Sequence, residues 1–167
     1  MSMDHSWGKA IFEEIQARPY GLCLSPGVAA NNCFFKSLEL VQRLALLGYT
    51  VRCRMGDSYW DKKLIPAELI DMLPTDLPCT HFYAEVLIDG EWCIADASLQ
   101  PSMAKYGFTI GSFGKGGQLN FPVTRVYEQE EMLAAQEKWK DQKYADDFFA
   151  RCGAGWKAIN DWFTERA

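Results

Sequence analysis

His81-Phe-Tyr-Ala-Glu-Val-Leu-Ile-Asp-Gly-Glu-Trp-Cys-Ile-Ala-Asp96 reads as a β-hairpin, with a histidine opening one strand and an aspartate closing the other. At its centre, Asp89-Gly90 is the strongest short signal for a two-residue type I′ turn. A turn there pairs Ile88 with Glu91, Val86 with Cys93 and Tyr83 with Asp96. His81 stands two residues before Tyr83, so it shares a face with Asp96, one diagonal step away. Diagonal neighbours sit roughly 7–8 Å apart at the backbone, within reach of an imidazole and a carboxylate that lean together. A slip of one residue would place the two on opposite faces. The chain has only two histidines. His5 falls in an N-terminus expected to be loose, which leaves His81 as the candidate for histidine chemistry. A surface hairpin with an incidental histidine is the competing reading.

At 167 residues the chain is expected to form a single domain over positions 1–167. A chain of this length buries roughly 70% of its unfolded surface, enough for a core. Its 49% hydrophobic and 14% aromatic content fits a globular protein. A net charge of -5 without a basic run argues against nucleic acid as a partner. No apolar run approaches the ~20 residues of a membrane span, so no membrane partner is expected. The first residues, Met1-Ser-Met-Asp-His-Ser-Trp-Gly-Lys9, lack the apolar core of a secretion signal. A cytoplasmic location is the expectation.

None of the six cysteines falls in a C-x-x-C pair, which argues against a zinc ribbon or finger. Cys23, Cys53 and Cys93 sit among apolar or strand-like neighbours and are expected to be buried thiols. Cys79, His81 and Cys93 are the one group worth weighing as metal ligands. They lack a visible fourth ligand, so neither a metal nor another cofactor is expected.

Outward from the hairpin, a helix is predicted over 7–17 with Ser6 as its N-cap. A second is predicted over 33–47, where Leu40, Leu44 and Leu47 recur at i, i+4 and i+7. Asn32 is a good N-cap for it and Gly48 a good C′ residue. A strand is predicted over 49–55. Pro66 opens a short helix that Pro74 stops. Residues 98–121 read as loop. The cluster Gly111-Ser-Phe-Gly-Lys-Gly-Gly117 is no P-loop, since no Ser or Thr follows its lysine. It is expected to be a flexible loop. A strand over 122–127 and helices over 128–140 and 146–166 complete the chain, with Gly153 and Gly155 breaking or kinking the last helix.

Cys33 falls in the first turn of the predicted central helix, right after its cap. A thiol there meets the positive end of the helix dipole and unpaired backbone N–H groups. Such placement, with an imidazolium nearby, favours the thiolate, a competent nucleophile. A small buried hydrophobe at a helix start is the plainer alternative. The order of elements favours chemistry: a helix-capped cysteine, then a strand-initial histidine, then an aspartate on the adjacent strand.

These blocks resemble those of the transglutaminase-like superfamily. Asn31-Asn-Cys33-Phe-Phe-Lys-Ser-Leu-Glu-Leu-Val-Gln-Arg-Leu-Ala-Leu-Leu-Gly48-Tyr-Thr-Val-Arg52 looks like its nucleophile helix, which ends in leucine-glycine before a strand that finishes near arginine. The hairpin looks like its second block, in which a histidine begins a strand, a glutamate (here Glu85) follows, and a tryptophan (here Trp92) precedes the aspartate. The two blocks cover under half of the chain. Asn31 stands where many relatives carry glycine, and Ala97 follows Asp96 in place of a frequent proline.

The resemblance implies an α+β fold with a papain-like transglutaminase core, a central helix packed on an antiparallel sheet. It also implies a triad of Cys33 nucleophile, His81 base and Asp96 orienter. Such a triad carries out acyl transfer on an amide or peptide substrate through a thioester, as a peptidase, amidase or transglutaminase. The Cys33 backbone N–H is the natural oxyanion donor. Asn31, Asn32 and Tyr20 are candidates for a second donor by nearness in sequence alone. Trp92 is a candidate wall of the site, against a packed core tryptophan. Trp60 is a candidate liner of an acyl groove, against a loop anchor. The alternative function is a non-catalytic protein-binding module on the same fold.

Overall fold

The structure, a computed structural model, describes residues 5–167. At its centre α2, Cys33–Leu46, lies between α1, Ser6–Gln16, and a sheet. Asn32 is extended, and its Oδ1 accepts from the Phe35 N–H at 3.0 Å. That bond satisfies one of the orphan donors of the first turn. At the other end Gly48 takes φ 85°. Its N–H donates to Ala45 O and that of Tyr49 to Leu44 O, the two bonds of a Schellman motif. Both caps are the ones predicted. Because the motif consumes Tyr49, the next strand starts later than predicted, at Val51.

α1 differs from expectation at its start. Ser6 is its first helical residue, and His5 occupies the cap position without a side-chain cap bond. His5 is held rather than loose, with Nδ1 3.2 Å from the Tyr49 hydroxyl.

The strands β1 (Val51–Ser58), β2 (Thr80–Ile88), β3 (Glu91–Ala95) and β4 (Val123–Val126) form one antiparallel sheet in the order β3-β2-β1-β4. The fold is therefore mixed α+β. Asp89 (φ 51°) and Gly90 (φ 81°) supply the two positive φ angles of a type I′ turn. The ladder pairs Ile88 with Glu91 and Val86 with Cys93, and its last rung is Ala84 with Ala95. Asp96 thus leaves β3 opposite Tyr83, in the predicted register.

Two apolar clusters hold the layers. In one, Phe12 and Ile15 of α1 and Leu40 and Leu44 of α2 meet Ala84, Val86, Ile88 and Ala95 of the hairpin. Each such large side chain contributes about 1.5–3 kcal/mol by leaving water. In the other, Tyr20, Ile65, Leu99, Met103 and Phe121 pack on Ile159, Trp162 and Phe163 of α5, Gln142–Thr164. α4, Gln129–Lys138, opens with a capping box made by Glu128 and Glu131.

Four expectations are corrected. α5 starts at Gln142, capped by Asp141, and runs unbroken through Gly153 and Gly155. A Cβ on Gly155 would lie 3.0 Å from the Met72 Cβ, so this glycine lets α5 approach the segment following α3, Ala67–Ile70. The predicted loop over 98–121 contains a 3-10 helix, Pro101–Tyr106. Cys23 and Cys53 are only partly buried, whereas Cys93 is buried.

The fourth correction concerns the glycine cluster. A Cβ on Gly111 would lie 2.1 Å from Asp96 O, and one on Gly117 would lie 1.9 Å from Ile94 O. The segment lies with its backbone against β3, an edge strand of the sheet. These glycines permit close backbone approach rather than flexibility, and the segment covers an edge that would otherwise be exposed. Gly117→Ala should therefore destabilise the protein by about 1–3 kcal/mol, the usual cost of overpacking. Chemical unfolding of the two proteins measures this difference.

Candidate functional site

α2 delivers Cys33 to the start of β2. The Phe34 ring stands edge-on to Phe82 at 5.0 Å, and Ser37 Oγ donates to Phe82 O at 3.2 Å. These contacts pin the first turns of α2 beside His81. Cys33 lies near enough to His81 and Tyr20 to act electrostatically on both, and it packs on the apolar cluster that holds Tyr20 and Phe121. Cys33 is partly exposed, while His81 and Asp96 are 2% and 0% exposed. Cys33 is thus the most open of the three, while His81 and Asp96 are shut off from water.

Asp96 is the hub. Its Oδ2 accepts from His81 Nε2 at 2.6 Å and from the Asn120 N–H at 2.8 Å. Its Oδ1 accepts from the Ser98 N–H at 3.1 Å and Ser98 Oγ at 2.6 Å. With Nε2–H spent on the carboxylate, Nδ1 is the ring nitrogen left for the thiol. Asn120 is itself locked, accepting from the Leu99 N–H at 3.0 Å and donating to Thr109 O at 2.9 Å. Neither Ser98 nor Asn120 was singled out from sequence. Asp96-Ala-Ser98 does carry an Asx-turn signal, but nothing local points to Asn120, 24 residues on.

Burial opposes a charged His81, yet the Asp96 charge, its hydrogen bond and the Cys33 contact outweigh it and raise the imidazole pKa to about 10. Burial opposes the Asp96 carboxylate as well. The His81 charge and the bonds from His81, Ser98 and Asn120 overcome this and hold its pKa below the ordinary value. Burial is also the main reason the Tyr20 pKa is raised well above 10, with Cys33, Cys79 and Asp96 adding to it. Tyr20 therefore stays a neutral hydroxyl beside the thiol.

Lys36, also unforeseen, lies one turn along α2 and is 1% exposed. Its Nζ donates to Arg18 O at 2.5 Å, Ser98 O at 2.9 Å and Gln16 O at 3.4 Å. Three ammonium protons meet three carbonyls, so one side chain ties α2 to the end of α1 and to the turn that holds Asp96. Burial, then the Arg18 guanidinium, push its pKa down to about 7, against the pull of Asp96.

The remaining sequence candidates divide. Tyr20 joins the triad residues, its backbone N–H held by Gln100 Oε1 at 2.9 Å. The Asn32 Oδ1 is spent on its cap. Asn31 lines a concavity of about 440 Å³ along the flank of α2 that does not include Cys33. Trp60 packs edge-on to Phe121 at 5.6 Å, and Phe121 meets the His81 ring at 5.1 Å. Trp92 stands apart. It pairs with Leu87 near the hairpin turn, 38% exposed, with the Arg52 guanidinium 4.0 Å above its ring. Glu85 is paired with Arg52 at 2.6 Å.

For an oxyanion, the first intrahelical donor of α2 is the Lys36 N–H, bonded to Asn32 O. The Cys33 and Phe34 N–H groups thus stand outside the helical ladder. The possible metal group does not assemble. Cys93 pairs with Val86, on the strand face opposite to that of His81, and the described residues contain no metal-binding cluster. No described helix is long and apolar enough to cross a membrane. Searches against models of protein families, curated proteins and solved structures find no match to this chain.

The His81 pKa implies a signed effect on stability. A group whose folded pKa is raised contributes fully below its unfolded value, here 6.5, and loses that contribution as pH rises through about 10. Lys36, with a lowered pKa, acts oppositely between about 7 and 10.5. His81 is not among the groups that shift Lys36, so Lys36 enters wild type and His81→Gln alike. The stability gap between these two proteins should be widest near pH 6 and shrink as pH approaches 10. Urea unfolding across pH 6–10.5 measures it.

Proposed function

We propose that this protein is a cysteine-dependent acyl-transfer enzyme acting on an amide or peptide substrate, on a papain-like, transglutaminase-type core. The observation that carries this reading is the buried His81–Asp96 pair at 2.6 Å, with Cys33 at the capped start of α2 near enough to act on the imidazole. A buried, raised-pKa histidine is what a thiolate–imidazolium pair requires. The binding-module alternative has no specific observation in its favour.

In this reading the Cys33 thiolate attacks the substrate carbonyl, forming a C–S bond and an oxyanion. The Cys33 backbone N–H, at the positive end of α2, stabilises that oxyanion. His81 passes its Nδ1 proton to the leaving nitrogen as the C–N bond breaks. The acyl group then rests on sulfur as a thioester. Water or an acceptor amine gives a proton back to His81 Nδ1 and attacks the thioester, and the thiolate leaves. Asp96 holds the tautomer and stabilises the imidazolium throughout. Tyr20, neutral and beside the thiol, is placed to donate to the thiolate or to the oxyanion.

Iodoacetamide at neutral pH should alkylate Cys33 faster than the other five cysteines, as read by peptide mass spectrometry. His81→Ala should slow Cys33 acylation by about 100-fold or more, the usual worth of a positioned acid–base group. Equal reactivity of all six thiols would sink the proposal. Turnover of an amide substrate should also fall as pH rises through about 10, where His81 loses the proton it must deliver. A pH–rate profile measures that alkaline limb.

A further inference from the structure

We propose that the groove between the segment 58–79 and α5 is the acyl-chain subsite of this centre and takes an uncharged, apolar acyl group of several carbons. The proposal rests on the acyl-transfer reading and goes beyond it by naming the substrate class. The groove has a volume of about 330 Å³ and is lined by Trp60, Ile70, Leu73, Leu77, Cys79 and Trp156 among others. That volume suits a small-molecule chain, since such sites span roughly 300–1,000 Å³. All six side chains are partly exposed, so apolar surface is held open to solvent here.

The walls are held in place. Trp156 Nε1 donates to Cys23 O at 2.8 Å, and the Trp60 and Trp156 rings meet edge-on at 6.1 Å. Trp60 is continuous through Phe121 with the His81 ring. The groove adjoins the candidate centre: Cys33 packs on the same apolar cluster as its liners Trp60, Ile70, Leu73 and Trp156. Cys79, one of its liners, stands two residues before His81 at the start of β2, and its thiol feels Cys33 electrostatically. Burial raises the Cys79 pKa to about 12, with Cys33 adding to the rise, so Cys79 is a neutral wall and not a second nucleophile.

The polarity of the lining selects the ligand. Its charged residues, Lys62 and Asp71, pair with each other, so neither is free to recognise an ionic group. An uncharged apolar chain therefore suits this lining better than a charged side chain does.

The test compares p-nitrophenyl octanoate with p-nitrophenyl acetate, each rate divided by that with free cysteine. Acylation forms the Cys33 S–C bond, breaks the ester C–O bond and releases p-nitrophenolate; intact-mass spectrometry reads the adduct. Octanoylation should be faster than acetylation by about tenfold or more, given the gain from each buried methylene. Ile70→Trp, which fills the groove, should cut that ratio by about tenfold. In parallel, octanamide should quench tryptophan fluorescence of the Cys33→Ser protein, and Trp60→Phe should weaken that binding.

A ratio near one, or one that Ile70→Trp leaves unchanged, overturns the subsite and leaves the acyl-transfer reading standing. Octanamide binding without an adduct from either ester overturns the acyl-transfer reading and keeps the apolar site. Neither binding nor adduct overturns both. If Ile70→Trp does not fold, Leu77→Trp on the same lining makes the same comparison.

Discussion

A carboxylate with no exposure to water must be compensated inside the protein, and Asp96 organises its surroundings to that end. Burying an ion costs several kcal/mol even after relaxation. The compensation comes from four hydrogen bonds and a charged imidazole, drawn from β2, from the turn after β3 and from position 120. Each of those donors is fixed in turn, so the cost of an unmet charge becomes a constraint on three separate stretches of chain. The glycine segment that covers the β3 edge belongs to the same constraint. Only without a Cβ at Gly111 does its backbone come in against the Asp96 carbonyl.

Lys36 complements this arrangement from the helix side. A buried ammonium is as costly as a buried carboxylate unless its protons are taken up, and three carbonyls take them up here. The carbonyls belong to the end of α1 and to the Asp96 turn. The helix that carries Cys33 and the turn that holds Asp96 are thus tied by one side chain, which also lies near enough to Asp96 to feel its charge. In the proposed mechanism this rigidity keeps Cys33 and His81 in line while the proton moves between them.

Much of the fold was legible locally. The α2 caps, the Asp89-Gly90 turn and the strand register each depend on residues within a few positions of one another. The helix start at Ser6 and the unbroken α5 were misread for the opposite reason. Cap preference at Ser6 yielded to the contact between His5 and Tyr49, and Gly155 serves a packing contact with Met72 instead of a break. The glycine cluster was misread in the same way, since local composition cannot report an edge strand lying against it. Within the candidate site, Tyr20 was visible only as a neighbour in sequence. Ser98 carried a weak turn signal. Lys36 looked like an ordinary helix lysine, and Asn120 gave no signal at all.

By itself the sequence determined the α+β element order, the hairpin register that sets His81 and Asp96 on one face, and the capped start of α2 at Cys33. These follow from the backbone geometry of adjacent residues: a two-residue turn, a strand period of two, a side-chain oxygen over a helix N-terminus. Tertiary structure alone decided that α2 brings Cys33 near enough to His81 to act on it, that Asp96 is fully buried and satisfied by Ser98 and Asn120, and that Lys36 ties the helix to the turn that holds Asp96. It also decided that Trp60, Trp156 and Cys79 line one groove. Those outcomes depend on burial and on charge compensation between segments far apart in the chain, and neither is written in any local pattern.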